Sequence, residues 1–370
     1  MKEKLGEEHP CTLISMVNLA SIFSSQGRFA EAEALEVQVM KTRKRKLVEN
    51  HPDTLTCMDD LACIYSNQGR WDEAEKLGIE VLEMRKTKLG HDHLDTLASM
   101  AGLASIYRDQ DKYDEAEKLG FEVLEMRKTK LRDDHSDTLV SMGLLASIYW
   151  NQNRYDEAEQ LEAHLLEANK ANLGKDHLDT FMRMSNLATI YFKQSQSRWE
   201  EAELLFVQVI VAYKSKLGLD HSDTLTCMVN LAFIYRGQRR WKEAEQLYLH
   251  VMQTRKTKLG VDHLDTITIM IHLAMAYFQQ RRWEEAELLF VQVLESRKGI
   301  LGENHPEILN SMQCLAWTWK LWGHRDTEAI NLLKTCIEKQ KTTLGLNHPD
   351  TLSNAEQLLE WEMDILQVNT

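Results

Sequence analysis

His51-Pro52-Asp53-Thr54-Leu55 is one copy of a fragment that recurs nine times along the chain, as a histidine, two further residues and usually Thr-Leu. Most steps between the histidines are 42 residues long, and two are 44 and 43 residues. The histidines are His9, His51, His93, His135, His177, His221, His263, His305 and His348. A fixed period of this length indicates stacked supersecondary units. We predict one solenoid domain over residues 1–370, because each unit of a solenoid buries surface only against its neighbours.

The first half of each repeat predicts a helix, here called helix A. Counted from the histidine as position 0, apolar or small residues stand at +4, +7, +10, +11 and +14, which in the second repeat are Leu55, Met58, Leu61, Ala62 and Tyr65. Gaps of three and four are typical of one helical face. Proline at +1 in four repeats suits the first turn of a helix. The histidine itself is expected to cap or hydrogen-bond the turn before helix A.

The second half of each repeat predicts helix B. It opens with an aromatic residue and Glu-Ala-Glu, as in residues 71–75, and ends with basic residues before Leu-Gly. Acidic residues first and basic residues last match the helix dipole. The repeated alanine, Ala74 in this copy, lets helices A and B approach closely, and the flanking glutamates are interpreted as structural and solvated. We expect eight full repeats beginning near the first eight histidines, and a C-terminal capping helix at 349–366.

These features resemble a known repeat family. Leu-Ala followed by Tyr on helix A, and an aromatic residue before Glu-Ala on helix B, are similar to tetratricopeptide repeats. The 42-residue length with His-Pro-Asp before helix A resembles the kinesin light chain subclass. Residues 35–44 and 5–10 are most similar to the C-terminal repeat regions of fungal NLR-like STAND proteins. The resemblance covers essentially the whole chain, and it implies an all-α solenoid, a right-handed superhelix of antiparallel helix pairs.

Two departures limit what this resemblance implies. The sequence has no Gly-x-x-x-x-Gly-Lys-Ser/Thr phosphate loop and no heptad coiled coil, so it predicts neither a switch ATPase nor a motor adaptor. Its start at Lys4-Leu5-Gly6 reads as the end of a helix B, which suggests a piece of a longer array. The uncapped N-terminal edge of such a piece could pair with another chain.

The amino-acid composition argues against some classes of ligand. The formal net charge is −13, which argues against nucleic acid and anionic membranes as ligands. No apolar run approaches the roughly 18 residues of a membrane-spanning helix, and no signal peptide is evident. Six cysteines without a Cys-x-x-Cys pair indicate reduced thiols. We expect a cytoplasmic protein.

The A helices carry the candidate ligand site, because tetratricopeptide arrays usually bind their ligand along the inner wall that these helices form. Position +9 matches the family's peptide-clamping asparagine, and its polar members are Asn18, Asp60, Asn186 and Asn230. His272 also stands at +9. Position +12 is small in the first five repeats but large and apolar in the last three, where it is Phe233, Met275 and Trp317.

We hypothesise that a ligand places an apolar or aromatic anchor among Phe233, His272, Met275 and Trp317. Asn186 and Asn230 would then bind main-chain amides, since an asparagine side chain both donates and accepts hydrogen bonds. The alternative is that these large side chains only pack against neighbouring A helices.

The sequence favours a non-catalytic scaffold without cofactor or metal that holds a peptide or protein segment. It contains no Gly-x-Ser-x-Gly, His-Glu-x-x-His or dinucleotide-binding loop. The side chains of His91-Asp92-His93 and Asp95 are types that bind metal ions. Since His93 and Asp95 occupy repeated loop positions, we interpret them as structural. The alternatives are a groove that binds or transforms a small hydrophobic molecule, with His272 as acid or base, and a purely structural self-associating array.

Overall fold

The computed structural model describes Gly6 and residues 8–368, with side chains as far as Asp364. Seventeen α-helices and one 3₁₀ turn, and no strand, occur within these residues. The all-α prediction is therefore confirmed. Lys4 and Leu5, which the sequence assigns to the end of a helix B, lie outside the described residues.

The chain divides into two compact units, an N-terminal unit over Met1–Gln196 and a C-terminal unit over Ser197–Thr370. The prediction of one continuous solenoid stays a prediction. In the N-terminal unit, odd-numbered helices are A helices and even-numbered helices are B helices. They are α1 (Pro10–Ser25), α2 (Phe29–Leu47), α3 (Pro52–Asn67), α4 (Trp71–Leu89), α5 (Leu94–Asp109), α6 (Tyr113–Leu131), α7 (Ser136–Asn151), α8 (Tyr155–Asn172) and α9 (Leu178–Gln194).

The C-terminal unit continues the alternation with a B helix first. A 3₁₀ turn at Gln196–Arg198 precedes it. Its helices are α10 (Trp199–Lys216), α11 (Ser222–Gly237), α12 (Trp241–Leu259), α13 (Leu264–Gln279), α14 (Trp283–Leu301), α15 (Pro306–Trp322), α16 (Asp326–Thr343) and α17 (Pro349–Val368). Within each unit, every helix packs against the next, and the short turns between them make these neighbours antiparallel. The predicted capping helix at 349–366 corresponds to α17.

The repeated histidine caps each A helix, as the sequence predicts. In the second repeat, the backbone N–H of Asp53 donates to Nδ1 of His51 over 3.2 Å, and the fourth repeat has the same bond between Asp137 and His135 at 3.1 Å. All nine histidines accept such a bond from the residue two positions on. The bond satisfies one of the N–H groups that a helix start leaves without a partner.

The repeated alanine of helix B is fully buried in all eight copies, and within each unit this agrees with its predicted role at the A/B crossing. Its copies are Ala32, Ala74, Ala116, Ala158, Ala202, Ala244, Ala286 and Ala329. The glutamate after it is less solvated than the sequence suggests. Glu33, for example, is ion-paired with Arg70 of the next repeat at 2.9 Å, and the Arg70 guanidinium lies over the Tyr65 ring. Such a glutamate therefore links adjacent repeats through an ion pair.

Candidate functional site

Three cavities lie along the A helices of the N-terminal unit. The first, here called the Glu162 cavity, has a volume of about 620 Å³. Residues of α5, α7, α8 and α9 line it, among them Arg108, Val140, Leu144, Ser147, Trp150, Glu162, Arg183, Asn186, Thr189 and Ile190. It thus joins the predicted +9 residue Asn186 to aliphatic and aromatic side chains and to three charged groups.

A buried carboxylate organises the polar side of this cavity. Glu162 of α8 is 5% exposed and forms an ion pair with Arg183 of α9 at 3.2 Å. Nδ2 of Asn186 donates to the same Oε1 atom over 3.1 Å. Burial raises the pKa of Glu162, while the Arg183 charge and the Asn186 hydrogen bond oppose that rise. Arg183 passes over Gly143, where an added Cβ would lie 3.4 Å from the guanidinium nitrogen.

The second cavity, here called the Glu36 cavity, has a volume of about 560 Å³. It lies among α1, α2 and α3, and it brings together the two predicted residues Asn18 and Asp60. Ser21, Ser24 and Glu36 also line it. Burial raises the pKa of Glu36 to about 7, with a further rise from the Asp60 charge, and the Cys57 thiol and the Arg43 charge oppose it.

The third cavity, of about 350 Å³, shares Asp60 and Cys63 with the Glu36 cavity. It contains an ion pair of 2.9 Å between Asp59 and Arg85, and the Ser99 hydroxyl donates to the same carboxylate. Burial raises the pKa of Asp59 to about 6 despite the Arg85 charge. No ion pair joins Arg85 to the neighbouring Asp60 within the described residues, although the Arg85 charge opposes the rise in the pKa of Asp60 that burial causes.

One position on helix B, which the sequence interpretation missed, distinguishes the two units. It lies four residues after the repeated alanine, on the turn of helix B that faces helix A. In the N-terminal unit it is acidic or glycine, and in the C-terminal unit it is aromatic or leucine. Its residues are Glu36, Gly78, Gly120 and Glu162, then Phe206, Tyr248, Phe290 and Leu333. Comparing the repeats at this position would have revealed the contrast.

In the C-terminal unit, two of the four predicted anchor residues, Phe233 and His272, pack against each other. The Phe233 and His272 rings are 4.6 Å apart between centroids, and Tyr248 lies 6.0 Å from Phe233 in an edge-on arrangement. Burial, aided by the Arg236 charge, lowers the pKa of His272 to about 4. Tyr248 belongs to a large apolar cluster of this unit, and Met275 packs against that cluster. The hypothesis that these side chains anchor a ligand stays a prediction.

Trp317 belongs to a different cluster of the same unit. Its ring lies edge-on to Trp361 of α17, with centroids 5.1 Å apart. Ala316, Ala329 and Leu333 belong to the same cluster. The structure therefore brings Phe233 and His272 together and places Trp317 in another cluster, while Asn230 is a partly buried residue of α11.

The histidines of the apparent metal motif have other partners. Nε2 of His91 lies 2.9 Å from a carboxylate oxygen of Glu122, and His93 caps α5 through Asp95. No cluster of three or more His, Cys, Asp or Glu side chains suited to a metal ion occurs in the part of the chain that the structure describes. Across the same part, no helix combines the length and apolarity needed to cross a membrane.

Two family models with the description tetratricopeptide repeat match the sequence. One matches overlapping segments that together extend over residues 64–299, and the other matches residues 12–53 and 308–350. The first alone covers more than half of the chain. The chain belongs to the tetratricopeptide repeat family. Arrays of this family are typically scaffolds for protein–protein interaction.

Solved structures of other tetratricopeptide repeat proteins are similar to this chain. A STAND protein with a tetratricopeptide repeat sensor from Pyrococcus horikoshii is 13% identical, with a TM-score of 0.66, and the match covers 96% of this chain and 50% of that one. This chain thus spans half the length of that protein. BtubC (BKLC) from P. vanneervenii is 18% identical, with a TM-score of 0.51 over 68% of this chain and 94% of that one.

A putative kinesin light chain with nearly identical TPR-like repeats from Podosopora anserina is 27% identical. That match covers 56% of this chain and 98% of the other, with a TM-score of 0.47. No curated protein matches the sequence. The predicted tetratricopeptide repeats are thus confirmed, and proteins described as a kinesin light chain and as a STAND protein are among the similar solved structures. The likeness to fungal STAND proteins in particular stays a prediction.

Proposed function

We propose that this tetratricopeptide repeat protein is a non-catalytic scaffold that holds a peptide or protein segment against the A helices of its N-terminal unit. One observation carries the proposal. The cavities of this unit are lined by the A-helix positions that the family resemblance assigns to ligand binding. At +9 these are Asn18, Asp60, Gly102, Leu144 and Asn186, and at +12 they are Ser21, Cys63, Ser147 and Thr189.

The Glu162 cavity has the chemistry that an extended peptide needs. Asn186 is held by its bond to Glu162, and its amide oxygen remains an acceptor for a peptide N–H. Trp150, Val140 and Ile190 supply apolar surface for a side chain of the ligand. Polar groups that fix orientation beside an apolar wall are the usual composition of a ligand site.

The test uses a phage library of random 12-residue peptides panned on the full chain. The affinity of a recovered peptide is then measured for the wild type, Asn186→Ala and Asn230→Ala by fluorescence polarisation. Loss of a main-chain hydrogen bond predicts about fivefold weaker binding for Asn186→Ala. Asn230→Ala is the matched control, because it makes the same change at +9 in the C-terminal unit.

The opposite pattern, in which only Asn230→Ala weakens the peptide, would move the site to the C-terminal unit and support the anchor hypothesis for Phe233, His272, Met275 and Trp317. Recovery of no specific peptide would count against the scaffold. Circular dichroism spectra of both variants establish that each is folded. Self-association through the N-terminal edge and a cytoplasmic location stay predictions.

A small hydrophobic molecule is the second candidate ligand. The volume of the Glu162 cavity, about 620 Å³, falls in the range of small-molecule sites, and Trp150, Leu144 and Ile190 give it an apolar wall. Native mass spectrometry of the purified chain would detect such an occupant as an added mass of a few hundred daltons. Loss of this added mass when the chain is unfolded, together with recovery of no peptide by panning, would favour a small molecule as the ligand.

A further inference from the structure

Glu36 is a buried carboxylate with an unsatisfied oxygen at the wall of a cavity. Its side chain is 1% exposed, and Oε2 has no hydrogen-bond partner among the described residues. The Glu36 cavity, of about 560 Å³, lies beside it. A buried polar oxygen without a partner costs free energy, so such a group points to a partner that the chain itself does not supply.

The fourth repeat shows which partner is missing. Glu162 stands at the same repeat position as Glu36, and its carboxylate contacts Arg183 at +6 and Asn186 at +9 of the following A helix. The residues at +6 and +9 that follow Glu36 are Cys57 and Asp60. The first repeat therefore has a thiol in place of the guanidinium and a second carboxylate in place of the amide donor.

The cations close to Glu36 bind elsewhere. Nη1 of Arg43 donates to the Asp53 carbonyl oxygen over 2.8 Å and contacts Cys57 Sγ at 3.0 Å. Arg85 is paired with Asp59. Burial raises the pKa of both Glu36 and Asp60, and the Arg43 charge opposes that rise, but no hydrogen bond or ion pair joins Arg43 to either carboxylate within the described residues.

We propose that the Glu36 cavity binds the cationic side chain of a lysine or arginine in the peptide ligand, which takes the place that Arg183 has at Glu162. Glu36 and Asp60 supply the counter-charges. Asn18 and Ser24 line the same cavity and offer neutral oxygen acceptors for the remaining N–H groups. This inference rests on the proposed function, since the basic residue belongs to the peptide held by the A helices.

The first experiment needs no selected peptide. L-argininamide and its uncharged analogue L-citrullinamide are titrated into the full chain by isothermal calorimetry at pH 8, where the Glu36 carboxylate is ionised. We expect argininamide to bind about tenfold more tightly than citrullinamide, since a charge-assisted hydrogen bond is stronger than a neutral one. Glu36→Gln and Asp60→Asn should each weaken argininamide binding about tenfold.

Glu80→Gln is the matched control. It removes the same formal charge from an exposed position on α4 that does not line the cavity, and it should leave argininamide binding within about twofold of the wild type. Equal binding of the two amides, or unchanged binding in Glu36→Gln, would overturn the proposal. Thermal denaturation of each variant separates a lost site from a lost fold, and Asp60→Asn tests the cavity independently of Glu36.

A second arm distinguishes a peptide from a free amine. The pentapeptide Gly-Ser-Arg-Gly-Ser should bind more tightly than argininamide if the A helices also hold the main chain. Tighter binding of argininamide than of the pentapeptide would overturn the assignment to a peptide. If argininamide does not bind preferentially, the peptide binding that depends on Asn186 is unaffected. If that peptide binding is not found, the argininamide result still stands. The two proposals can therefore be refuted separately.

Discussion

Nδ2 of Asn186 donates a hydrogen bond of 3.1 Å to Oε1 of Glu162, which links α9 to α8 at the wall of the Glu162 cavity. The side chain that the sequence assigns to a ligand's backbone is thus already held by a buried carboxylate. A fixed amide loses less conformational entropy when a ligand arrives than a mobile one does. The ion pair with Arg183 at the same oxygen completes this arrangement.

We predict that removing one partner of the ion pair between Glu162 and Arg183 strongly destabilises the fold. The exposed fractions of their side chains are 6% and 18%. Arg183→Met leaves Glu162 buried without its counter-charge, so the free energy of unfolding should fall by about 3 kcal/mol. Urea denaturation followed by circular dichroism measures the change.

The control is Arg28→Met, which breaks a surface ion pair with Glu31 and should cost less than about 1 kcal/mol. Adding Glu162→Gln to Arg183→Met removes the unpaired charge and should restore most of the lost stability. A double variant no more stable than Arg183→Met would show that the charge of Glu162 is not what destabilises it.

We predict that Glu36 makes the stability of the fold depend on pH, with lower stability at higher pH. The pKa of Glu36 is about 7 in the folded chain, against an ordinary value of 4.5. Between these values the folded state binds the proton more tightly than the unfolded state does, so stability falls as pH rises from 4.5 to 7. Glu36→Gln removes this loss, and its advantage over the wild type should grow to about 3 kcal/mol at pH 8.

Urea denaturation at pH 4.5, 6 and 8 measures that difference between wild type and Glu36→Gln. Glu31→Gln is the control, because the Arg28 side chain lowers the pKa of Glu31 and this exposed group gives the opposite sign. A constant difference between the wild type and Glu36→Gln across the pH range would contradict the prediction.

Periodicity was sufficient to predict the fold. The spacing of His51, Leu55 and Met58 places the histidine at a helix start and the apolar residues on one face, and both features are present in the structure. The same spacing puts Asn18 and Asp60 at +9 of successive repeats, and the structure places both at one cavity, but their role in ligand binding stays a prediction. The fold prediction succeeded because it depends only on contacts within a helix or between adjacent repeats.

The acidic half of the site could not be predicted in this way. Glu36 and Glu162 stand on helix B at a position that is glycine, aromatic or leucine in other repeats, so no periodic pattern marks it as polar. The partner of Glu162 is Arg183, which is 21 residues away on another helix. Such pairings depend on the side chains that face each other across two helices, which repeat spacing does not encode.

His272 is predicted to remain neutral at pH values where an exposed histidine is charged. Burial against Phe233 and Tyr248, together with the Arg236 charge, lowers its pKa to about 4. Since protonation is favoured in the unfolded chain below its ordinary pKa of 6.5, this group removes stability as pH falls from 6.5 towards 4.

Carbon-detected NMR of the histidine rings follows that titration, with His272→Phe identifying the signal. The His272 resonance should not move between pH 8 and pH 5.5. A titration midpoint near 6.5 would contradict the burial of this ring in the apolar cluster.

We predict that the substitution Tyr248→Phe stabilises the fold. The Tyr248 side chain is fully buried, and its hydroxyl has no hydrogen-bond partner among the described residues. Tyr248→Phe removes an unsatisfied polar atom without changing the shape of the ring, so the free energy of unfolding should rise by about 1 kcal/mol. Tyr248→Ala, in contrast, should lower it by about 3 to 5 kcal/mol, because it leaves a cavity beside Phe233 and His272.

The matched control for Tyr248→Phe lies one repeat away in the same unit. The Tyr277 hydroxyl donates to Glu245 over 3.2 Å, so Tyr277→Phe loses a satisfied hydrogen bond and should lower stability by about 1 kcal/mol. Thermal and urea denaturation of the two variants measure both signs. Equal destabilisation by Tyr248→Phe and Tyr277→Phe would show that the Tyr248 hydroxyl has a partner in solution, since only a satisfied hydroxyl contributes stability that its removal takes away.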